Sequence, residues 1–459
     1  MNASRIEFQN NQPFRRRLIG QIVMTSAIIA VAFLVATVFV AMTVYATYKR
    51  EHAFAKRIRS MDGSCSFKDT APYLLKGFYH FKDRTSVFDR IVAVDVGGKL
   101  LTPDIRSQFG ALNNLAGLNL GGTQTTDADL ECLRDLRGLQ ELRLSGNRIT
   151  DLGLEHLANL NALKRLWLDA TDVTGTGLKH LKGQKGLRDL ILSSARVTDA
   201  GLVDIKDLTN LKSLNLDHTK VTDAGLTTLT ELAKLEFLIL DHTQVNGTGL
   251  TKLAKLANLR SLGLAGTGVT DGGLVNIYEL ANLESLSLGH TQITDAGLMH
   301  LRGIKSLKRL VLERTQITGA GMVNLSDLAN LEFLDLDDTQ VTDAGFVHLR
   351  GLKNLKHLGL NRTQVTDTGF ASLAELTKLE SLDLDRTQVA DVGLANVRGL
   401  TSLKHLNLDR TQVTDAGLKQ LTGLSNLVYL GVSGTQVTAE GRAMLRKALP
   451  NCNIITSSP

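Results

Sequence analysis

The chain has 459 residues, 43% of them hydrophobic and 21% charged, a length that usually divides into two or three domains. The net charge is +6, but residues 1–60 hold nine Lys or Arg and two acidic residues, so the other 399 residues sum to −1. The bulk of the chain therefore lacks the basic footprint of a nucleic-acid-binding protein. Three cysteines, Cys65, Cys132 and Cys452, are too few and too scattered for a disulfide framework.

The amino-terminal region predicts a membrane anchor. Residues 1–17 form a basic tail that ends in Arg15, Arg16 and Arg17, and residues 18–45 carry no charge. These 28 residues exceed the roughly 20 that span a bilayer as a helix, so we predict a transmembrane helix over 18–45. A cleaved signal peptide is the alternative, although its apolar region is usually about half as long. The arginine cluster before the segment favours an extracytoplasmic location for the remainder of the protein.

Residues 46–90 are predicted to be a linker and an amino-terminal cap. The segment from Lys49 to Arg59 is basic and helix-like. An aromatic-rich cluster follows, which consists of Tyr73, Leu74, Leu75, Phe78, Tyr79 and Phe81. We interpret the cluster as a shield for the apolar edge of the next structural unit; a separate ligand-binding element is the alternative.

From this point a strict repeat dominates the chain. One position recurs every 24 residues from Thr123 to Thr435 and holds Thr in all units except those with Asn147 and Ala195. Matching apolar positions begin one unit earlier, at Ile91, so we predict 15 units over residues 91–450 and a carboxy-terminal cap over 451–459. An uninterrupted period of this length is typical of a solenoid, in which each unit packs only against its neighbours.

Each unit is predicted to contain a strand, a turn and a short helix. Residues 211–216 have the pattern L-x-x-L-x-L, whose alternation indicates a strand with one buried face. Thr222 is expected to cap the amino terminus of a helix. The negative charge of Asp223 is expected to interact favourably with the positive end of the helix dipole. The recurring threonine, here Thr219, is expected to bond neighbouring backbone. The fold class is therefore α/β, a curved ladder of parallel strands with short helices on the convex side.

These repeats resemble the leucine-rich repeat family, whose pattern is L-x-x-L-x-L-x-x-N/C-x-L. Thr stands in place of the usual Asn or Cys, and Asn147 alone keeps Asn. The Val/Ile-Thr-Asp-x-Gly-Leu pattern is similar to the cysteine-containing subclass of these repeats and to bacterial proteins whose repeats carry Thr at this position. The resemblance implies a concave binding face made by outward strand residues, with a protein as the partner.

The outward strand positions contain side chains that are unexpected on a solvated sheet. Large apolar side chains there often belong to an interface; those predicted to bind a partner are Trp167, Ile191, Phe237, Ile239, Val311 and Phe333. Carboxylates crowd the second half of the face, and Asp335 and Asp383 are added as candidates for a basic partner. The alternatives are scattered apolar exposure and a solvated acidic face neutralised by Arg314, Arg362, Arg386 and Arg410.

Motifs for catalysis or cofactor binding are missing from the sequence. Asp217-His218 and Asp241-His242 have metal-ligand chemistry, but the doublet is explained by copying of one repeat, so no metal is predicted. No nucleophile motif or phosphate-binding loop occurs. We expect no enzyme activity, no cofactor and no small-molecule substrate.

The sequence thus predicts a single-pass membrane protein whose leucine-rich repeats bind another protein. A structural or envelope-organising role, in which the helix side packs against like molecules, is the main alternative. A ubiquitin-ligase substrate adaptor would need cytosolic repeats and an adaptor-binding segment, and the sequence shows an apolar segment in that place instead.

Overall fold

The computed structural model describes residues 12–70 and 89–456. The chain forms two compact units, Met1–Val96 and Gly97–Pro459, called here the amino-terminal unit and the repeat domain. The aromatic-rich cluster over residues 73–81 lies outside the described residues.

The amino-terminal unit contains one long helix and two strands. Helix α1 spans Gln12–Arg59, strand β1 spans Ser64–Asp69 and strand β2 spans Asp89–Asp95. The strands pair antiparallel, with Cys65 opposite Val94. Helix α1 is continuous through the predicted anchor and its basic extension, because nothing between them breaks a helix.

The carboxy-terminal turns of α1 pack within this unit. Phe54, Ala55 and Ile58 are buried there. Glu51 is also buried, and its Oε2 accepts a 2.7 Å hydrogen bond from the backbone N–H of Ile91 in β2. A buried carboxylate is stabilised only when it is hydrogen-bonded or paired, so this contact fixes the helix against the strand.

The repeat domain is a ladder of 15 parallel strands in chain order. Each strand pairs with the next in a register of 24 residues, as Leu142 with Leu166, which confirms the predicted in-step ladder. The strands are Gly117–Asn119 (β3), Glu141–Arg143 (β4), Arg165–Trp167 (β5), Asp189–Ile191 (β6), Ser213–Asn215 (β7), Phe237–Ile239 (β8), Ser261–Gly263 (β9), Ser285–Ser287 (β10), Arg309–Val311 (β11), Phe333–Asp335 (β12), His357–Gly359 (β13), Ser381–Asp383 (β14), His405–Asn407 (β15), Tyr429–Gly431 (β16) and Asn453–Ile455 (β17). Strand β17 lies in the predicted carboxy-terminal cap and continues the ladder, with Ile454 opposite Leu430.

Short helical segments connect the strands and contact the helical segments of neighbouring repeats. The α-helices are Pro103–Gln108 (α2), Leu226–Leu229 (α3), Leu250–Leu253 (α4), Asp295–Leu298 (α5), Asp391–Leu394 (α6), Asp415–Leu418 (α7) and Ala439–Ala448 (α8). The 3₁₀ segments are Phe109–Ala111, Asp127–Leu133, Gly153–Leu157, Thr176–Leu181, Asp199–Leu202, Ile205–Asp207, Asp271–Leu274, Ile277–Glu279, Met299–Leu301, Gly319–Leu325, Asp343–Gly351, Gly369–Glu375, Ala395–Val397 and Lys419–Leu421. The domain therefore has a strand side and a helix side.

The recurring threonine closes the turn of its own repeat. The Oγ1 of Thr219 donates a 2.6 Å hydrogen bond to the carbonyl of Leu216, and Thr243 bonds Leu240 in the same way. This is the expected bond to neighbouring backbone, and it does not reach another repeat. Asn147 does reach, since its Nδ2 donates to the carbonyls of Leu120 and Leu144.

Neighbouring repeats are joined by an aspartate instead. The Asp295 carboxylate accepts hydrogen bonds from the N–H of Thr318 at 2.8 Å and from its hydroxyl at 2.5 Å. We call this pair of bonds the Asp–Thr clamp. It recurs in the described chain between Asp127 and Thr150, Asp151 and Thr174, Asp199 and Thr222, Asp271 and Thr294, Asp343 and Thr366, Asp391 and Thr414, and Asp415 and Thr438.

The clamp also explains the glycine that follows each threonine by three residues. A Cβ at Gly369 would lie 2.6 Å from Oδ1 of Asp343 in the preceding repeat. The Thr-Asp-x-Gly motif was predicted to cap a helix and to interact with its dipole, but its main role is to form a contact between repeats. Capping remains a second role at Thr294, Thr318 and Thr414, whose side chains accept a bond from the second residue after them.

The clamp bonds favour the ionised aspartate. The side-chain and backbone hydrogen bonds from Thr438 lower the pKa of Asp415. A carboxyl with a lowered folded-state pKa contributes stability above its unfolded pKa, and this contribution is lost as the pH falls through the folded pKa. Acid is therefore expected to loosen the contact that Asp415 makes with the next repeat.

Removal of one clamp should destabilise the repeat domain. We expect Asp295→Ala to lower the free energy of unfolding by about 1–3 kcal/mol, because it leaves the donors of Thr318 without their acceptor. Denaturant unfolding followed by circular dichroism measures this change. Asp327→Ala, at an exposed position of the following unit, is the control and should change stability by less than about 0.5 kcal/mol. Equal unfolding of the two variants would contradict the role of the clamp.

Candidate functional site

The candidate site is the outward side of the strands, called here the strand face. In each short strand the central leucine is buried, and the first and third residues point away from it, as in Arg165-Leu166-Trp167. The residue two positions after each strand continues the same face. Side chains at equal positions of neighbouring strands therefore lie about 4.8 Å apart along the ladder.

Four apolar side chains form one patch on strands β5 to β8. Trp167 and Ile191 are half-buried and directly paired across β5 and β6. Ile239 is half-buried and Phe237 is 45% exposed, both on β8. The four residues span three strand spacings, about 14 Å. We call Trp167, Ile191, Phe237 and Ile239 the aromatic patch.

Arginines flank the tryptophan of this patch. The guanidinium carbon of Arg143 lies 4.9 Å from the centre of the Trp167 ring, and that of Arg165 lies 5.9 Å away. These cation–π distances hold the indole over the sheet and keep it out of the core. The indole is thus held in place before any partner arrives, which reduces the ordering cost of binding.

Phe333 and Val311 are the apolar candidates outside the aromatic patch, and both have neighbours on the ladder against them. The Phe333 ring is stacked on His357 with centroids 4.1 Å apart, and Arg309 lies 3.5 Å from its other face. Val311 is only 9% exposed, so the expectation of an exposed side chain is wrong at that position. Its neighbours on the ladder cover it, so Val311 offers little free surface to a partner.

A cluster of carboxylates follows on strands β12 to β14. Asp335, Asp337 and Asp383, with His357 among them, are called here the acidic cluster. Burial raises the pKa of Asp337 to about 6, repulsion from Asp335 and Asp383 adds to the rise, and hydrogen bonds from Asn361 oppose it. Burial also raises the pKa of Asp383, which His357 counteracts from 3.7 Å. Burial lowers the pKa of His357, so the cluster holds negative charge that the histidine does not offset at neutral pH.

The predicted arginine neutralisation occurs beside this cluster. Arg410 makes two 2.7 Å hydrogen bonds to the Asp385 carboxylate. Arg314 and Arg362 both pair with Asp338. Within the described residues, no Lys or Arg forms an ion pair with Asp335 or Asp337, so two carboxylates of the candidate face keep their charge for a ligand.

The sequence reasoning missed one row of side chains. The residue before each recurring threonine has a positive φ, for example 54° at His218, 52° at His242 and 55° at Asp338. This left-handed turn directs equal positions of adjacent repeats toward one another. The 24-residue period alone could not show in which direction these side chains point. The recurrence of His and Asp at this position was a signal of the left-handed turn, because both residues tolerate a positive φ better than most others.

Comparisons with known proteins agree with this architecture. Residues 277–341 and 377–437 match one family model described as a leucine rich repeat, and residues 137–158 and 207–230 match a second model of the same description. No curated protein matches the chain at a significant level.

Two solved bacterial structures share the fold. An internalin from Listeria monocytogenes is 25% identical, with a TM-score of 0.56 over 71% of this chain and 94% of its own. A leucine-rich repeat protein from Leptospira interrogans is 23% identical, with a TM-score of 0.57 over 78% of this chain and 92% of its own. The matched segments contain leucine-rich repeats, and the 24-residue register and the shared ladder show that this chain has the leucine-rich repeat fold.

Proposed function

We propose that this chain is a membrane-anchored leucine-rich repeat protein that binds another protein on its concave strand face. The observation that carries the proposal is the aromatic patch, where Trp167 and Ile191 lie on the adjacent strands β5 and β6 and Phe237 and Ile239 lie two strands further on, on β8. Aromatic anchors dominate the energetics of protein interfaces. The acidic cluster lies four strands further along the same face and supports a partner with a basic segment.

Helix α1 supports the membrane anchor. An 18-residue stretch within its segment Ile29–Arg59 has a mean hydropathy of 2.4, and the segment is long and apolar enough to cross a membrane. Residues 29–48 carry no charge and would span about 30 Å as a helix. Large apolar side chains along it are exposed, including Phe33, Leu34 and Phe39. A bilayer would cover this apolar surface, whose exposure to water is unfavourable.

Aromatic and basic residues mark one end of this segment. Tyr45 and Tyr48 are stacked, and Lys49 lies 4.9 Å from the Tyr45 ring. Tyrosines and lysines prefer the boundary between lipid and water. We place the amino terminus in the cytoplasm, because Arg15, Arg16 and Arg17 precede the segment, and the repeat domain on the other side.

The orientation can be tested with a reporter at the carboxy terminus. We expect a fusion to an enzyme that works only in the cytoplasm to be inactive, and a fusion to one that works only outside it to be active. The reverse pattern would refute the orientation. Mass spectrometry of the membrane fraction distinguishes the anchor from a signal peptide, since a cleaved segment would leave a mature chain that lacks residues 18–45.

The binding face can be tested by photo-crosslinking in cells. A photoreactive residue at Asn215, which lies on β7 inside the aromatic patch, is expected to capture a partner. The same residue at Val203, on the helix side and exposed, is the control. Trp167→Ala with Phe237→Ala should weaken capture about 30-fold or more, the effect of losing about 2 kcal/mol at an interface anchor. Capture that survives both substitutions would contradict the proposed face.

The acidic cluster gives this binding a pH dependence. Asp337 has a pKa raised to about 6, so it loses its charge as the pH falls below that value, and attraction for a basic partner weakens. We expect weaker capture in the crosslinking assay at about pH 5.5 than at about pH 7.5, and Asp337→Asn should flatten the profile. Asp338→Asn, at a residue paired with Arg314, should leave the profile unchanged. A profile that Asp337→Asn does not alter would remove this residue from the site.

One observation favours the alternative structural role. Four consecutive repeats expose an apolar side chain at the same helix-side position, namely Val275, Met299, Val323 and Val347. Such a stripe suits packing between like molecules. Crosslinks between two copies from a photoreactive residue at Val323, with none from Asn215, would favour this role over partner binding.

A further inference from the structure

The left-handed turn after each strand builds a row of side chains that cross from repeat to repeat. Arg314 Nε lies 3.1 Å from Asp338, and Arg362 approaches the same carboxylate from the other side. These residues share the positive φ of their position. The row therefore brings together polar groups that are 24 residues apart in the chain.

In the middle of the repeat domain this row places two histidines side by side. The ring centres of His218 and His242 are 4.3 Å apart, with an angle of 38° between the rings. The next residue in the row is Gly266, and a Cβ there would overlap the His242 ring. The missing side chain thus leaves room for the imidazole to lie across the neighbouring turn.

Two carboxylates accompany the histidines. Asp217 Oδ1 lies 2.7 Å from Nδ1 of His218 and holds that ring in orientation. Asp241 accepts a 2.7 Å hydrogen bond from the N–H of Ala265. Among the described residues, no Lys or Arg forms an ion pair with either carboxylate, so the local charge is negative.

We propose that Asp217, His218 and His242 bind a divalent transition-metal ion of the Zn²⁺ class. One ligand atom from each of the three residues lies within 4.8 Å of the others. Two imidazoles and a carboxylate are ligands that Zn²⁺, Cu²⁺ and Ni²⁺ accept. Three protein ligands leave at least one coordination position open.

The distances are compatible with closure around an ion. A tetrahedral Zn²⁺ with bonds of about 2.0–2.1 Å keeps its ligand atoms about 3.4 Å apart, so the side chains must approach by roughly 1 Å. Both histidines are exposed, and rotation about their side-chain bonds supplies this movement while the hydrogen-bonded turns stay fixed.

The test measures Zn²⁺ binding to the full-length chain. The protein should be untagged, because a histidine tag would itself bind the ion, and it should be treated with a chelator and kept in detergent. We expect isothermal titration with zinc chloride to show one binding event per chain. His218→Asn and His242→Asn should each weaken it at least about tenfold. Asn is chosen because it tolerates a positive φ.

His290→Asn provides the matched control. His290 occupies the same position of its repeat, with φ 57° and one carboxylate, Glu313, at 3.5 Å, but it lies next to Gly266 and Arg314 in the row. Its substitution should leave Zn²⁺ binding unchanged. A second measurement is the melting temperature, which Zn²⁺ should raise in the wild type and in His290→Asn but not in His242→Asn. A wild type that binds no Zn²⁺, or a His242→Asn variant that binds it equally well, would overturn the proposal.

Discussion

The repeat domain depends on hydrogen bonds that cross from one repeat to the next. A solenoid has no contacts between distant parts of the chain, so its stability is a sum over neighbours. Buried leucines supply the apolar part of each interface, and the Asp–Thr clamp supplies the polar part. Because the Asp295 carboxylate accepts two bonds from Thr318, it satisfies a turn that would otherwise lack partners and fixes the spacing of the two repeats.

The clamp changes how the recurring threonine is understood. Asn147 bridges its own turn and the carbonyl of Leu120 in the preceding repeat, whereas Thr219 bonds Leu216 alone. A threonine at this position therefore gives up one contact between repeats. The aspartate four residues later joins neighbouring repeats whether threonine or asparagine holds this position, since Asp151 in the unit of Asn147 also clamps Thr174. The glycine near the clamp is small enough to admit the carboxylate. The recurring threonine, the aspartate and the glycine together determine how neighbouring repeats pack.

With the scaffold fixed in this way, function is left to positions that the period does not constrain. On the strand face these positions divide into two kinds. The Phe333 ring is already stacked on His357 and covered by Arg309, so its contacts are largely internal. Phe237 presents open surface, and among the described residues no arginine forms an ion pair with Asp335 or Asp337 of the acidic cluster. We therefore propose the strand face as the place of partner binding, with the proposed metal site at its border.

Local patterns in the sequence determined the strand register, the buried leucines and the apolar helix, because each depends on the alternation or period of neighbouring residues. Tertiary structure alone decided which side chains meet across repeats. The covered ring of Phe333, the buried Val311, the partner of Asp295 and the contact between His218 and His242 all join residues in different repeats. Such contacts depend on the direction of each side chain after a left-handed turn, and that direction is set by the stacking of the repeats.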